Sequence, residues 1–125
     1  ADIVILFLAI GGVSWLTMAR VIRGQVLSLR SRAFVEAARA AGVPFTTNHA
    51  GTMFGGFFTG ESNVSNYTQV MNCDTAAFNR FFHHMLELGV YLAPASYEAG
   101  FMSAAHTDDD IQATVDAAAT AFAAL

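Results

Sequence analysis

The chain has 125 residues, of which 54% are hydrophobic and 13% are charged. This length suits one ordinary domain, and the apolar composition excludes an intrinsically disordered chain because there is ample surface to bury. The single cysteine, Cys73, excludes an internal disulfide framework and fits a reducing compartment.

Charge is distributed unevenly along the chain, although the net charge is only −4. All six basic residues are arginine, so the chain contains no lysine. Five of the arginines lie within the first 40 positions, whereas the remainder of the chain carries Arg80 alone against eight acids. This asymmetry indicates two segments of different origin or with different neighbours, and we divide the chain into residues 1–41 and 42–125.

Residues 3–19 form an uncharged run of 17 residues. As a helix the run would be roughly 26 Å long, against about 30 Å for the hydrocarbon core of a bilayer. Trp15 and the arginines that follow the run fit an interfacial anchor and a cytoplasmic flank. Residues 3–19 are therefore a candidate membrane-spanning helix.

The alternative for the same residues is a buried strand followed by a helix. Residues 2–10 are rich in β-branched side chains, and the pair Gly11-Gly12 is a natural break before a helix that begins at Ser14. The sequence leaves both interpretations open. Further along, Arg20, Arg23 and Arg30 would share one helical face; because no Gly-rich loop or interleaved aromatic residue accompanies them, we predict a solvated face and no nucleic-acid partner.

A resemblance to a known family covers about the first third of the chain. The stretch "WLTMARVIRGQVLSLRSRAFVEAARAAG", residues 15–42, resembles the permease subunit of dipeptide and oligopeptide ABC transporters. By that resemblance Glu36, Ala37 and Gly42 belong to a cytoplasmic helix that docks on the ATPase subunit. The resemblance stops at Gly42, and we expect no transport by this chain alone because it is too short.

Residues 42–58 predict the end of a helix followed by a hairpin. Gly42 is well placed to terminate the helix before Val43-Pro44. The stretch "FTTNHAGTMFGGFF", residues 45–58, predicts two short strands joined near Ala50-Gly51.

Two helices are predicted in the remainder of the chain. Asp74 is a good N-cap for a helix over residues 75–88, which Gly89 would end, and Thr107 with three following aspartates is a strong start for a helix over residues 108–124. Residues 62–72 predict a loop, and residues 90–105 predict extended chain interrupted by Pro94. The apolar stripe of the first helix is Phe78, Phe81, Phe82, Met85 and Leu86; the second helix is predicted to bury Ile111, Val115, Ala118 and Phe122.

The predicted order is helix, strand, strand, helix, strand, helix. This order describes a small α+β fold in which helices cover a sheet, preceded by an apolar helix or strand-helix.

A second resemblance covers residues 41–125. The stretches "AGVPFTTNHAGTMFGGFFT" and "GVYLAPASYEAGFMSAAHT" resemble the carboxy-terminal domain of glutamate-1-semialdehyde 2,1-aminomutase. That family consists of fold-type I, pyridoxal-phosphate-dependent isomerases of tetrapyrrole biosynthesis. The resemblance implies that Glu98 reaches the substrate end of an active site whose edge Ser96 and Tyr97 help to shape.

The absence of lysine bears directly on this chemistry. Enzymes that use pyridoxal phosphate hold it as a Schiff base on a lysine, which also moves protons at the substrate carbon. The chain therefore cannot form that linkage, and we predict that alone it binds no cofactor and is catalytically inactive.

Other candidate groups point to no site. His49, His83, His84 and His106 lack the spacing of a metal motif, so we predict no metal site. Cys73 lies just before a helix start, which can lower a thiol pKa, but we interpret it as a passive small residue.

We interpret the chain as a fusion whose fold is specified mainly by residues 42–125. Residues 1–41 would cover the sheet or form a poorly packed arm that promotes homo-oligomerisation. The alternative is a membrane-anchored protein that uses residues 3–19. We expect a cytoplasmic location, with membrane association as the alternative.

Overall fold

Helices cover a three-stranded antiparallel sheet with strand order β1-β2-β3. The structure, a computed structural model, describes the backbone of residues 2–125 and the side chains of residues 2–16 and 31–125. The predicted α+β class is confirmed, and one short helix, α2, lies where the sequence predicts a loop. In chain order the elements are α1 (Asp2–Ala40), β1 (Thr46–Ala50), β2 (Met53–Phe57), α2 (Tyr67–Met71), α3 (Thr75–Glu87), β3 (Gly100–Phe101) and α4 (Asp108–Ala123).

The first element, α1, is one continuous helix of 39 residues. The alternative of a strand over residues 2–10 is therefore wrong. Gly11 and Gly12 do not break the helix, because each glycine keeps its backbone hydrogen bond and costs only about 1 kcal/mol relative to alanine. The shared face predicted for Arg20, Arg23 and Arg30 lies outside the described side chains.

The first described part of α1, residues 2–16, lies at the surface. All side chains of residues 2–16 are exposed, and that of Trp15 is 77% exposed. Among the described residues, no helix has both the length and the apolar character that crossing a bilayer requires.

The end of α1, in contrast, belongs to the core. Ala38 is fully buried, and Phe34 and Ala37 pack against the same cluster of buried side chains. As predicted, Gly42 terminates the helix: its φ is +74°, and the Val43 N–H donates to the Ala38 carbonyl at 2.9 Å in a Schellman arrangement. The predicted fusion segment thus contributes to the core through its last turns, and the division at residue 41 stays a prediction.

The predicted hairpin is confirmed. Ala50 pairs with Met53, and the two-residue loop between them begins at Gly51, whose φ of +61° suits the first position of a type II′ turn. β3 extends the sheet by pairing Gly100 with Phe54. It is much shorter than the predicted extended chain, because Pro94 cannot donate to a strand ladder and the residues that follow it form a turn.

Aromatic rings lie directly over two glycines of the sheet. A Cβ atom added to Gly100 would lie 2.3 Å from the Cζ atom of Phe54, and one added to Gly56 would lie 2.7 Å from the Cζ atom of Phe45. Both distances are far below a van der Waals contact. The absence of a side chain at these positions therefore lets the rings cover the strands.

We predict that Gly100→Ala destabilises the fold by about 1–3 kcal/mol, because the Phe54 ring must leave its place. Gly60→Ala is the matched control, since nothing lies within 4 Å of its added Cβ atom. Urea unfolding of the two variants measures the difference. Equal free energies of unfolding would contradict this account of the sheet.

Helix α3 begins and ends where the sequence predicts. The Asp74 carboxylate accepts a hydrogen bond from the Ala77 N–H at 2.9 Å, and Gly89, with a φ of +87°, follows the last turn. The buried row is Ala77, Phe81 and Met85. The predicted stripe is thus rotated: Phe78 and Phe82 are half-buried and Leu86 is 44% exposed, because small Ala77 lets the helix approach the core more closely.

Helix α4 begins with a capping box. The Thr107 side chain accepts a hydrogen bond from the Asp110 N–H, while the Asp110 carboxylate accepts one from the Thr107 N–H at 2.8 Å. Three of the four residues predicted to be buried are buried, and Ile111 is half-buried; the buried residues are Val115, Ala118, Ala121 and Phe122.

Four phenylalanines join the sheet to the helices at the centre of the core. The Phe81 and Phe122 rings stack with their centroids 4.5 Å apart. Phe45, which precedes β1, meets Phe122 edge to face at 5.0 Å, and Phe58, which follows β2, lies 5.5 Å from Phe81. Aromatic pairs of this kind each contribute about 0.5–1.5 kcal/mol beyond the area they bury.

The capping box gives the fold a dependence on pH. Hydrogen bonds from the Thr107 N–H and hydroxyl hold the pKa of the Asp110 carboxyl below its usual value. A pKa that is lower in the folded state stabilises the protein above the unfolded pKa, and this contribution is lost as the pH falls through the folded pKa.

We therefore predict that Asp110→Asn makes the loss of stability in acid shallower, whereas Asp109→Asn does not. At neutral pH, Thr107→Ala should cost about 1 kcal/mol because it removes the cap. Urea unfolding at neutral pH and at about pH 3 measures both effects. The same acid dependence in both aspartate variants would show that the capping box is not its source.

Candidate functional site

The residues predicted to shape a substrate edge lie in the turn that leads into β3. The Glu98 N–H donates to the Ala95 carbonyl at 3.1 Å, which closes the turn. Ser96 is half-buried, whereas Tyr97 and Glu98 are exposed. Because β3 pairs with β2, the turn is held beside the hairpin.

All three residues line one cavity of about 270 Å³ between this turn and the hairpin. Its other sides are lined by β1, by β2 and by Val70 of α2. We call it the turn cavity. Ser96, Tyr97 and Glu98 are consecutive in the chain and all line this cavity, and their role at a substrate edge stays a prediction.

The turn cavity also contains two polar residues that the sequence analysis did not place there, Asn48 and His49 of β1. The Asn48 side-chain amide donates to the Val64 carbonyl, which ties β1 to the loop after β2. Neither residue carries a sequence signal for this position, because their approach to residues 96–98 depends on the pairing of β2 with β3. Asn48 and His49 are therefore additional candidates for contact with a ligand.

The electrostatic character of the turn cavity is set by few groups. Among the described residues that line it, Glu98 is the one carboxylate, His49 is the one imidazole, and none is a lysine or an arginine. A carboxylate at the edge of a partly apolar cavity can accept hydrogen bonds from an amine. The arrangement suits recognition of a polar substrate end better than it suits an anion.

This chain lacks the side chain to which pyridoxal phosphate is covalently attached. The sequence contains no lysine, so no Schiff base can form on it. The described residues that line the turn cavity include neither a lysine nor an arginine to pair with a phosphate.

Cys73 is not an activated thiol. Burial, and to a smaller extent the charge of Glu61, raise the pKa of the Cys73 thiol above its usual value. Its Sγ atom lies 3.3 Å from the Gln69 carbonyl oxygen. The interpretation as a passive residue is supported, because a nucleophilic cysteine needs a lowered pKa.

The four histidines lie in three different parts of the fold, namely β1, α3 and the turn before α4. His84 lies 4.0 Å from the Glu87 carboxylate, and the Nδ1 atom of His106 accepts a hydrogen bond from the Ser103 N–H at 3.0 Å. Within the described part of the chain, no three His, Cys, Asp or Glu side chains converge in a way that could hold a metal ion.

The residues of the permease resemblance lie at the end of α1. Glu36 is exposed, Ala37 packs against the core, and Gly42 forms the helix end. Docking of these residues on an ATPase stays a prediction.

Comparisons with known proteins locate this fold within a larger class. No family model matches the chain. An omega-transaminase from Sphaerobacter thermophilus superposes with a TM-score of 0.62 and 21% sequence identity, over 80% of this chain and 23% of that one. A transaminase with bound pyridoxal phosphate gives the same TM-score at 20% identity, over 84% of this chain and 23% of its own.

The chain therefore spans about a quarter of the length of these transaminases. Because residues 42–125 are about two thirds of the chain, a likeness over 80% of it also includes part of α1. At these identities the likeness shows the fold alone. The chain has the α+β fold of a part of pyridoxal-phosphate-dependent transaminases, and it fits their carboxy-terminal domain.

Proposed function

We propose that this chain provides the carboxy-terminal domain of a pyridoxal-phosphate-dependent glutamate-1-semialdehyde 2,1-aminomutase and forms the substrate edge of its active site. The observation that carries the proposal is the turn cavity, in which Ser96, Tyr97 and Glu98 lie together on a fold of the transaminase class. The resemblance of residues 89–107 to that enzyme supplies the specific reaction.

In this proposal the chemistry is divided between domains. Bound pyridoxal phosphate would supply the electron sink, and a lysine of another domain would hold it. Residues of this chain act on the substrate side. Glu98 accepts hydrogen bonds from a substrate amine, while Tyr97 and Ser96 limit the space around it.

A domain exchange tests this role. We predict that an active aminomutase whose carboxy-terminal domain is replaced by residues 34–125, which include the end of α1 that packs on the core, retains turnover of the semialdehyde. In that enzyme Glu98→Gln should lower kcat/KM by roughly 10- to 100-fold, the effect of losing a hydrogen bond to a charged group. The matched control is Glu87→Gln. It changes an exposed carboxylate that lies on α3, away from the turn that holds Glu98. Equal kcat/KM for the two variants would remove Glu98 from the site.

The chain alone should be inactive. Incubated with pyridoxal phosphate, it should show no absorbance of an internal aldimine and no turnover of the semialdehyde. A stoichiometric aldimine band, or turnover by material free of host enzyme, would contradict the division of chemistry between domains.

A second candidate function rests on the exposed apolar side chains of α1. Ile3, Phe7, Leu8 and other large side chains between residues 3 and 16 are each more than half exposed, on every face of the helix. We propose that this arm mediates self-association, with anchoring in a membrane as the alternative. Bare apolar surface of this extent is typical of an interaction site.

We predict that the mass of the chain in light scattering rises with concentration and that Leu6→Glu/Ile10→Glu reduces the rise, because the two charges disrupt one of the apolar faces of the helix. Leu88→Glu, at an exposed leucine outside α1, should leave the rise unchanged. A monomeric mass at all concentrations would exclude self-association. Recovery of the chain in the membrane fraction, if the double variant reduces it, would favour a membrane anchor.

A further inference from the structure

A second cavity, of about 420 Å³, lies on the helix side of the sheet. We call it the core-side cavity. Its walls are predominantly apolar and include half-buried phenylalanines from three different elements, Phe34 of α1, Phe54 of β2 and Phe78 of α3. A volume of this size is within the range of sites that bind small organic molecules.

The polar groups of this cavity are acidic or neutral. Asp110 and Glu98 contribute carboxylates, and Thr47 and Thr114 contribute hydroxyls. Among the described residues that line the cavity, none is a lysine or an arginine. His106 also lines the cavity, and its Nδ1 atom accepts a hydrogen bond from the Ser103 N–H at 3.0 Å.

The wider charge distribution has the same sign. After residue 40 the chain carries one arginine against eight acids. Such a field attracts cations and repels anions, and the attraction is strongest where carboxylates flank a low-dielectric wall. Phenylalanine rings add a preference for a flat aromatic body, against which they can stack.

We propose that the core-side cavity binds a small aromatic amine, with its ring among the phenylalanines and its ammonium group beside Asp110 and Glu98. This cavity adjoins the turn cavity, with which it shares Phe54 and Glu98, but binding of an amine in it does not depend on the enzyme class that we propose above. An aromatic anion or a neutral aromatic molecule of the same size is the alternative ligand.

The test titrates the full chain with three indoles that differ in charge, followed by backbone amide NMR. Tryptamine is the cation, tryptophol is neutral, and indole-3-acetate is the anion. Tryptamine should bind saturably, about fivefold more tightly than tryptophol, as expected for an exposed ion pair, and indole-3-acetate should bind most weakly. The shifted amides should include those of Phe54 and Leu92, which line the cavity. Equal affinities, no binding of tryptamine, or shifts confined to other residues would overturn the proposal.

Two pairs of variants separate the contribution of the Asp110 charge to binding from that of the cavity volume. Asp110→Asn should weaken tryptamine binding about two- to threefold and leave tryptophol binding unchanged, whereas Asp109→Asn, which lies outside the cavity, should change neither. Ala95→Phe should fill the cavity and abolish binding of both, while Ala104→Phe, at an exposed turn residue that does not line it, should not. Circular dichroism checks that each variant is folded; if Ala95→Phe is not, the two aspartate variants decide.

Discussion

The stacking of Phe81 on Phe122 is the contact on which the rest of the structure depends. It joins α3 to α4, and Phe45 and Phe58 attach the two ends of the hairpin to the same pair of rings. The Phe58 carbonyl also accepts a hydrogen bond from the Asp74 N–H, so the chain that leaves β2 is tied to the start of α3. β3 pairs with β2, so the aromatic cluster that fixes the hairpin also fixes the position of the turn cavity. None of the four rings is itself a reactive group. Truncation of a buried phenylalanine typically costs about 3–5 kcal/mol, which is a large part of the stability of a domain of this size.

The two cavities lie along β2 and share Phe54 and Glu98, but their surroundings differ. The turn cavity combines the carboxylate of Glu98 with the imidazole of His49. The core-side cavity has aromatic walls and lies between the sheet and the helices. A domain that supplies only the substrate edge of an enzyme needs no lysine of its own, so the composition of the chain and its likeness to a quarter of a transaminase have the same explanation under the proposed function.

Local signals in the sequence predicted those elements whose ends are set by a few neighbouring residues. Asp74, Gly89 and Thr107 each satisfy backbone groups at a helix end, so the pattern alone located α3 and α4. The hairpin followed from the glycine between two β-rich runs. Local signals did not predict which face of α3 is buried, because contacts with distant residues determine it. Both Ala77 and Phe78 start plausible apolar rows, and close approach of the helix to the core buries the row that contains Ala77. The sequence left the continuity of α1 open and missed α2, because helices tolerate glycine and polar residues when neighbouring turns continue. Resemblance to a family singled out residues 96–98, whereas His49 and its neighbour Asn48 reach the same cavity only through strand pairing.

The central claim is that the last turns of α1 fold together with residues 42–125, while residues 2–16 do not take part. Hydrogen–deuterium exchange of the full chain, resolved by peptide, tests it most directly, because protection reports the stability of each segment. We predict that amides of residues 35–40 exchange as slowly as those around Ala118 and Phe122, and that amides of residues 3–16 exchange far faster. Protection of residues 3–16 equal to that of α4 in monomeric chain, or rapid exchange of residues 35–40, would contradict the account.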